Sequence, residues 1–413
     1  MTRPLLEAPA VLRARVDDAL RARDRLRTRP LGETIAGLAA AAACWREDAA
    51  LAAALPAAAH LSRAMTTAVL PLAAEAVNAD AMTALVEREW GTGAAARAAG
   101  EGPALVAHVL ASNVPALALP AIALGCLAGA AVLVKSGRDD PLSAPAFHRA
   151  LCATDPELAS TVVTAYWPGG DPNREEAGLG RAPVVVVTGG DATLAALGGR
   201  VRGRLVAHGP RVSVAAVGRA ALADAAAVAE ALAVDVALHD QRGCLSPHAV
   251  YVETGGPLAP PAFAERLATA LDAVAQRLPP GPAGVGERAA ARLLAAEAEW
   301  IPGAAVFAGD GGTVVYEEVP VLRPTCGFRT VRVHPLADAD ALPALLPAGA
   351  VECVGIAGIP ATPLVQRLRA RGVSRICPAG RMQRPPLSWP RGQHAPLGVL
   401  LGRDGAPQLA VET

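Results

Sequence analysis

A chain of 413 residues that is 52% apolar can bury two or three substantial cores, which excludes a disordered protein. Its 38 basic and 38 acidic side chains cancel, so no net field draws it to nucleic acid or to an anionic membrane, and small molecules or proteins are the expected partners. Seven cysteines, an odd number without a CxxC pair or a Cys/His cluster, imply reduced thiols, no metal site and a cytoplasmic setting.

Arg3, Glu7, Arg13, Arg15, Asp17 and Asp18 interrupt every apolar run at the N-terminus, so no signal core is expected there. Apolar residues recur at spacings of three and four around Val11, Val16, Leu20 and Leu26, and again from Leu51 to Leu85, which predicts helices over the first hundred residues. The texture then changes. Leu105 to Leu110 reads as a strand, Ala111 to Pro115 as a turn, Ala116 to Leu127 as a helix, and Ala131 to Val134 as a second strand. From Val114 to Val134 there are 21 residues without a charge, long enough for a membrane helix. Pro115, Pro120, Gly125 and Gly129 punctuate that run, and a buried helix leading into a parallel strand accounts for the same apolarity.

The pattern repeats with a strand at Val184 to Val187, a turn at Thr188 to Asp191 and a helix at Ala192 to Leu197. A strand at Arg211 to Val217, a helix at Arg219 to Ala233, a strand at Ala249 to Glu253 and a helix at Pro261 to Leu278 follow, and alternation resumes from Val314 to Val373. Alternating elements predict mostly parallel sheets with helices on both faces, whose ligands sit at the carboxyl ends of strands. Asn113, Lys135 and Thr188-Gly189-Gly190 all fall at such ends.

Between the third helix-strand pair lies His239-Asp240-Gln241-Arg242-Gly243-Cys244-Leu245-Ser246-Pro247-His248. A cysteine between a glycine and a Ser-Pro turn, just ahead of a strand, is where a fold would display a thiolate nucleophile. A small buried thiol is the bland reading of the same stretch.

Taken together, these turns resemble the aldehyde dehydrogenase superfamily, and more closely its acyl-CoA reductase branch, the LuxC-like fatty-acyl reductases. Ser112-Asn113-Val114-Pro115 resembles the superfamily's Asn-x-Pro turn, and Val132 to Ser136 its cofactor lysine strand. Val187 to Asp191 resembles the Thr-Gly turn beside the nicotinamide, and Asp240 to Pro247 the branch's cysteine motif. Arg329-Thr330-Val331-Arg332-Val333-His334-Pro335-Leu336 is similar to a further stretch of these reductases.

The resemblance implies an aldehyde-dehydrogenase-like α/β fold. Residues 1–206 would form a helical N-terminal segment and a Rossmann-like cofactor domain, 207–390 a catalytic α/β domain carrying Cys244, and 391–413 a tail with a pairing strand at Leu397 to Leu401. It implies reduction of an acyl thioester such as acyl-CoA to the aldehyde, through an acyl group held on Cys244, with the Asn113 amide and the Cys244 N–H meeting the oxyanion. Lys135 and Ser136 would hold the adenosine ribose, Thr188, Gly189 and Gly190 would flank the nicotinamide, and Glu318 would contact its ribose. Arg138 stands where NAD-preferring relatives carry an acidic residue, so NADPH is the expected cofactor. The usual Glu that activates hydrolytic water is missing: no carboxylate occurs from Arg200 to Ala223, and His208 is a substitute base at most. The alternatives are a CoA-acylating aldehyde dehydrogenase running in the oxidative direction, or an acyl-carrying subunit beside an acyl-transferase or synthetase partner. A capping role for Asn113, a solvated role for Arg138 and assembly into a homo-oligomer complete the expectations.

Overall fold

The computed structural model describes residues 6–98, 100, 102–403 and 405–412. Helices Pro9–Arg25, Leu31–Arg46, Ala49–Ala59, Arg63–Glu75 and Ala79–Trp90 open the fold. Asp48, Ser62 and Asn78 cap three of them, accepting from the amides of Leu51, Met65 and Ala81; each such cap contributes about 1 kcal/mol. This segment is a cover for the first sheet. Leu12, Val16 and Ala19 pack on Leu105, Ala107 and Leu133 of one face, while Leu38, Trp45 and Leu85 close over Ile122, Val132 and Val134 on the other.

That sheet comprises β1 (Leu105–Val109), β2 (Ala131–Lys135), β3 (Val162–Ala165), β4 (Val184–Thr188) and β5 (Arg204–His208), all parallel, in the order β3-β2-β1-β4-β5. Central β1 is buried at every position, which is why its sequence is a continuous apolar run. The uncharged stretch from Val114 divides into a turn, helix Ala118–Leu127 and β2. No single helix among the described residues is long and apolar enough to cross a membrane. Arg63–Glu75 and Ala79–Trp90 reach that length only as a pair bent by 45°, and their Met65, Val69, Met82 and Leu85 lie in the core.

Edge strand β5 runs from 204 to 208 in register with β4, Thr188 opposite His208, and so straddles the division expected at 206/207. Its flank is covered by the tail. Leu397 to Leu401 is not a pairing strand: the Leu401 amide bonds back to Leu397 O, so the donors a strand would offer are consumed in successive turns. Val399 and Leu400 pack on Val184, Val186 and Val206 instead.

The second sheet comprises β6 (Val212–Val217), β7 (Pro247–Glu253), β8 (Ala305–Gly309), β9 (Gly312–Tyr316), β10 (Thr330–Leu336), β11 (Val351–Ala357), β12 (Arg375–Pro378) and β13 (Ala410–Val411). Their order is β13-β12-β11-β6-β7-β10-β9-β8, parallel except for the β8/β9 hairpin. Helices Ala225–Ala237 and Pro260–Arg277 bury Leu232, Val236, Leu267 and Leu271 against Ala215, Val250 and Val331 on one face. Leu342, Leu364 and Leu368 cover Val214, Tyr251 and Val354 on the other. The tail's own strand, β13, thus pairs with β12 of the same chain. Contacts from Asn113 to Arg242 and from Thr188 to Arg391 bring the carboxyl edge of the first sheet to the amino edge of the second.

Candidate active site

Helix Ala225–Ala237 leads into three consecutive left-handed residues that are not glycine: His239 (φ 58°), Asp240 (φ 49°) and Gln241 (φ 60°). Such conformations cost on the order of 1–3 kcal/mol each and persist only where the surroundings fix them. Here the fixing groups are explicit. Asp240 Oδ1 accepts from Arg329 Nε at 2.8 Å and Oδ2 from the Gly281 amide at 2.9 Å, while Arg329 Nη2 donates to Leu278 O at 2.8 Å. Gln241 Nε2 donates to Pro247 O and Thr330 O, and its Oε1 accepts from the Thr330 amide. Arg329 is left-handed as well (φ 56°), so the two motifs at 240–247 and 329–336 brace each other through a buried ion pair.

Cys244 emerges from this turn half-buried and free of any disulfide. Its carbonyl accepts from Ser213 Oγ at 2.7 Å, and the same hydroxyl accepts from the Cys353 amide. On the far side, Gln383 Nε2 donates to Ser246 Oγ and Asp235 O. The Asp235 carboxylate accepts from the amides of Gly380 and Met382, and burial pushes its pKa up to about 7. Burial also raises the Cys244 thiol above its ordinary value; Arg391 and Arg211 pull it back and Glu352 pushes it further up.

The Asn-x-Pro turn reaches this loop from the first sheet. Asn113 Nδ2 donates to Arg242 O at 2.6 Å, two residues before the cysteine, and Gly243 admits Val114, since a Cβ there would lie 3.2 Å from Val114 Cγ2. Asn113 is not the cap of the following helix. That helix, Ala118–Leu127, has no side-chain cap; Asp140, buried and raised in pKa by that burial, accepts from the amide of Ala116 in the turn before it and from that of Ser143.

The other residues singled out in the first sheet lie along the same edge. Lys135 ends β2 with Nζ 5.5 Å over the Trp167 ring; burial lowers its pKa and Glu175 opposes the shift. Ser136 is buried, its amide bonded to Ala165 O. Gly137 allows the β1 and β2 turns to touch, because a Cβ would fall 2.8 Å from Ala111 O. Arg138 is exposed, and among the described residues it has no hydrogen bond or ion pair. Its acidic neighbours are occupied elsewhere: Asp139 accepts from Ser112 Oγ and Asp140 from the amides above. Thr188 Oγ1 accepts from Arg391 Nη1 at 3.1 Å, the Gly189 amide donates to His208 O, and Gly190 begins helix Asp191–Gly198. Burial, then Arg391 and His394, hold the His208 imidazole well below its usual pKa, so it is neutral at physiological pH.

Glu318 is not brought to this cluster. Tyr316 stands level with Val333 and Val333 with Val250, so Glu318 lies about 16 Å up the sheet from Pro247 at ~3.3 Å per residue. It is exposed there, while its neighbour Glu317 is buried in an ion pair with Arg332 and Arg323. Parallel pairing of β9 with β10 carries this acidic pair to the carboxyl end, opposite the end where Cys244 precedes β7.

Two residues at the site have no motif to mark them. Glu352, at the amino end of β11, accepts from the Gly392 amide and Ser374 Oγ and lies 3.4 Å from Arg211 Nε. Arg391 bonds Thr188 and lies over Trp389 at 5.9 Å.

The sequence pattern of the acyl-CoA reductase (LuxC) family matches residues 28–394. A long-chain acyl-protein thioester reductase from Aliivibrio fischeri is 28% identical over 242 residues, which are 56% of this chain and 48% of that protein; the match thus spans about half the length of the curated relative. Aldehyde dehydrogenase 21 from Physcomitrella patens, solved with the product succinate, superposes with a TM-score of 0.75 at 12% identity, over 97% of this chain and 89% of that one. A NAD-dependent benzaldehyde dehydrogenase from Corynebacterium glutamicum superposes with a TM-score of 0.68 at 16% identity, over 92% and 87%. Likeness at such identity establishes the aldehyde-dehydrogenase-like fold.

Proposed function

This chain belongs to the acyl-CoA reductase (LuxC) family, and from that premise we propose that it reduces an acyl thioester to the aldehyde with NADPH, through an acyl group on Cys244. The observation that carries the proposal is the bond from Asn113 Nδ2 to Arg242 O, which joins the first sheet's turn to the cysteine loop.

Cys244, as thiolate, attacks the thioester carbonyl, and the carrier thiolate departs. The oxyanion of the tetrahedral intermediate needs donors already in place. A carboxamide nitrogen carries two hydrogens, so Asn113 can keep one on Arg242 O and present the other, beside the Cys244 amide. A bound nicotinamide supplies the hydride that reduces the acyl carbon. Lys135, Ser136 and the Thr188 turn offer the dinucleotide a carboxyl-edge crevice, and Arg138, exposed and unpaired, suits its 2′-phosphate. Collapse of the reduced intermediate releases aldehyde and returns the Cys244 thiolate. The acyl donor is a CoA or carrier-protein thioester, and the working protein is soluble and homo-oligomeric.

Mixing the protein with an acyl-CoA in the absence of nicotinamide should add one acyl mass on Cys244, and NADPH should then release aldehyde. Cys244→Ala should show neither and keep its fold. Labelling and turnover in Cys244→Ala would overturn the proposal, while labelling without aldehyde release would leave an acyl-carrying subunit.

A further inference from the structure

Helix Val285–Glu299 is apolar on two opposite faces, and the fold uses only one of them. On the inner face Leu294 and Ala298 pack on Val306 of β8 and Val315 of β9. On the outer face Val285, Ala289, Leu293, Ala296 and the C-cap residue Trp300 recur at spacings of four, four, three and four, and so fall within an arc of roughly 80°. Val285 is 77%, Leu293 60% and Trp300 88% exposed, and the two alanines are exposed as well. A surface helix is ordinarily polar on that side, and a continuous exposed apolar stripe marks an interaction site. The helix is fixed in place at its first turn, where Arg242 Nη2 of the cysteine loop donates to Glu287 Oε1 at 3.3 Å, and just before it the Gly281 amide donates to Asp240.

The stripe is complementary to itself. Ala289, Leu293, Ala296 and Trp300 take successive d, a, d and a positions of a heptad pattern. When two such helices run antiparallel about a two-fold axis, each a position meets a d position, so Leu293 faces the partner's Ala296 and Trp300 faces the partner's Ala289. Every layer then sets a large side chain over a small one. The flanking g positions, Arg292 and Glu299, meet across the same pair with opposite charge. Both are exposed, and among the described residues neither has a hydrogen bond or ion pair within its own chain. A parallel pair would instead stack Trp300 on Trp300 and leave Ala289 against Ala289. The rim of the stripe carries Arg288, Arg292, Glu297 and Glu299, whose charges cancel, so it offers an anionic lipid surface no attraction.

We propose that the outer face of helix Val285–Glu299 is a self-association surface that takes the same helix of a second copy of this chain, antiparallel about a two-fold axis. Four turns of helix bury less than a standard interface of about 1,200–2,000 Å², so the dimer is in reversible exchange, with a dissociation constant on the order of micromolar. The inference shares with the proposed function only the expectation of a homo-oligomer, and names the surface that forms it.

The test is sedimentation velocity of the full-length protein over a rising series of concentrations. Wild type should pass from monomer to dimer. Leu293→Glu and Trp300→Ser should each raise the dissociation constant on the order of a hundredfold, because central apolar anchors carry most of an interface's affinity and the two-fold axis makes each change twice. Both side chains are exposed, so the urea midpoint measured on dilute protein should stay at the wild-type value. Arg292→Glu should weaken pairing about tenfold by facing the partner's Glu299, and Arg292→Glu/Glu299→Arg should restore it. A parallel pair would bring Arg292 to the partner's Glu297 instead, so failure of the double variant to restore pairing overturns the antiparallel arrangement. An oligomer that survives Leu293→Glu and Trp300→Ser unchanged overturns the surface and leaves the homo-oligomer standing. Wild-type protein that stays monomeric throughout overturns the inference outright, while acylation of Cys244 is decided separately by its own mass measurement.

Discussion

Replacing Arg329 with Met tests whether the left-handed turn ahead of Cys244 is held by its ion pair. The guanidinium is 1% and the Asp240 carboxylate 0% exposed, and Arg329 donates to both Asp240 and Leu278 O. Met fills much of the same volume, so the loss is mainly electrostatic: among the described residues Asp240 Oδ1 is left without a donor, and only the Gly281 amide still reaches the carboxylate. Removing one partner of a buried pair costs about 3–5 kcal/mol, or two to nearly four decades in the folding equilibrium. Domain stabilities are themselves about 5–15 kcal/mol, so the urea midpoint should fall steeply. The double variant Arg329→Met/Asp240→Asn removes the stranded charge and should recover part of the loss. Cys244 alkylation under native conditions should also lose selectivity, as the turn relaxes from its costly conformation. A single variant within about 1 kcal/mol of wild type, with an unchanged denaturant slope, would refute the reasoning.

Two further outcomes follow from the first sheet's edge. Asn113→Ala should lower turnover by on the order of 10²–10³ with little change in substrate binding, the usual loss for one oxyanion donor; steady-state kinetics within about threefold of wild type would reduce Asn113 to a tether for Arg242. Arg138→Glu should weaken NADPH binding about tenfold to a hundredfold, since a charge-assisted hydrogen bond contributes roughly 1.5–3 kcal/mol, and should spare NADH. Dissociation constants at two salt concentrations check this, and equal loss for both nucleotides would show that Arg138 reads no phosphate.

The strands most legible in the sequence are those buried on both faces. β1, β2 and β4 read as continuous apolar runs because helices cover both sides of them. β5, at an edge, mixes Arg204 and His208 with three apolar residues and gives neither signal, so the domain division fell inside it. Cys244 and Asn113 are legible as turn residues, but the bond from Asn113 to Arg242 O in the cysteine loop and the brace from Asp240 to Arg329 are contacts across more than eighty positions, which local pattern does not encode. Glu318 was misplaced for a related reason: its motif is local, whereas its position depends on the β9/β10 register. Arg391 bonds Thr188 and the amide of Gly392 beside it bonds Glu352, each partner remote in sequence, and no spacing announces either contact.

That long-range arrangement bears on why an acyl-enzyme here would wait for hydride and not for water. The sequence lacks the hydrolytic Glu, yet the structure places a buried carboxylate and an imidazole close by, either of which could in principle take a proton from water. Glu352 already accepts from Ser374 Oγ and the Gly392 amide and faces Arg211, so protonating it would strand those donors. His208 is neutral, but becoming an imidazolium would set a new positive charge near Arg391 and His394 in a buried site, the same interactions that depress its pKa. Arg391 therefore has opposite effects on its two neighbours. It favours negative charge on Cys244 and opposes positive charge on His208, where protonation would accompany the activation of water. An acyl group held on Cys244, as proposed, would on this account meet no ready base for its hydrolysis.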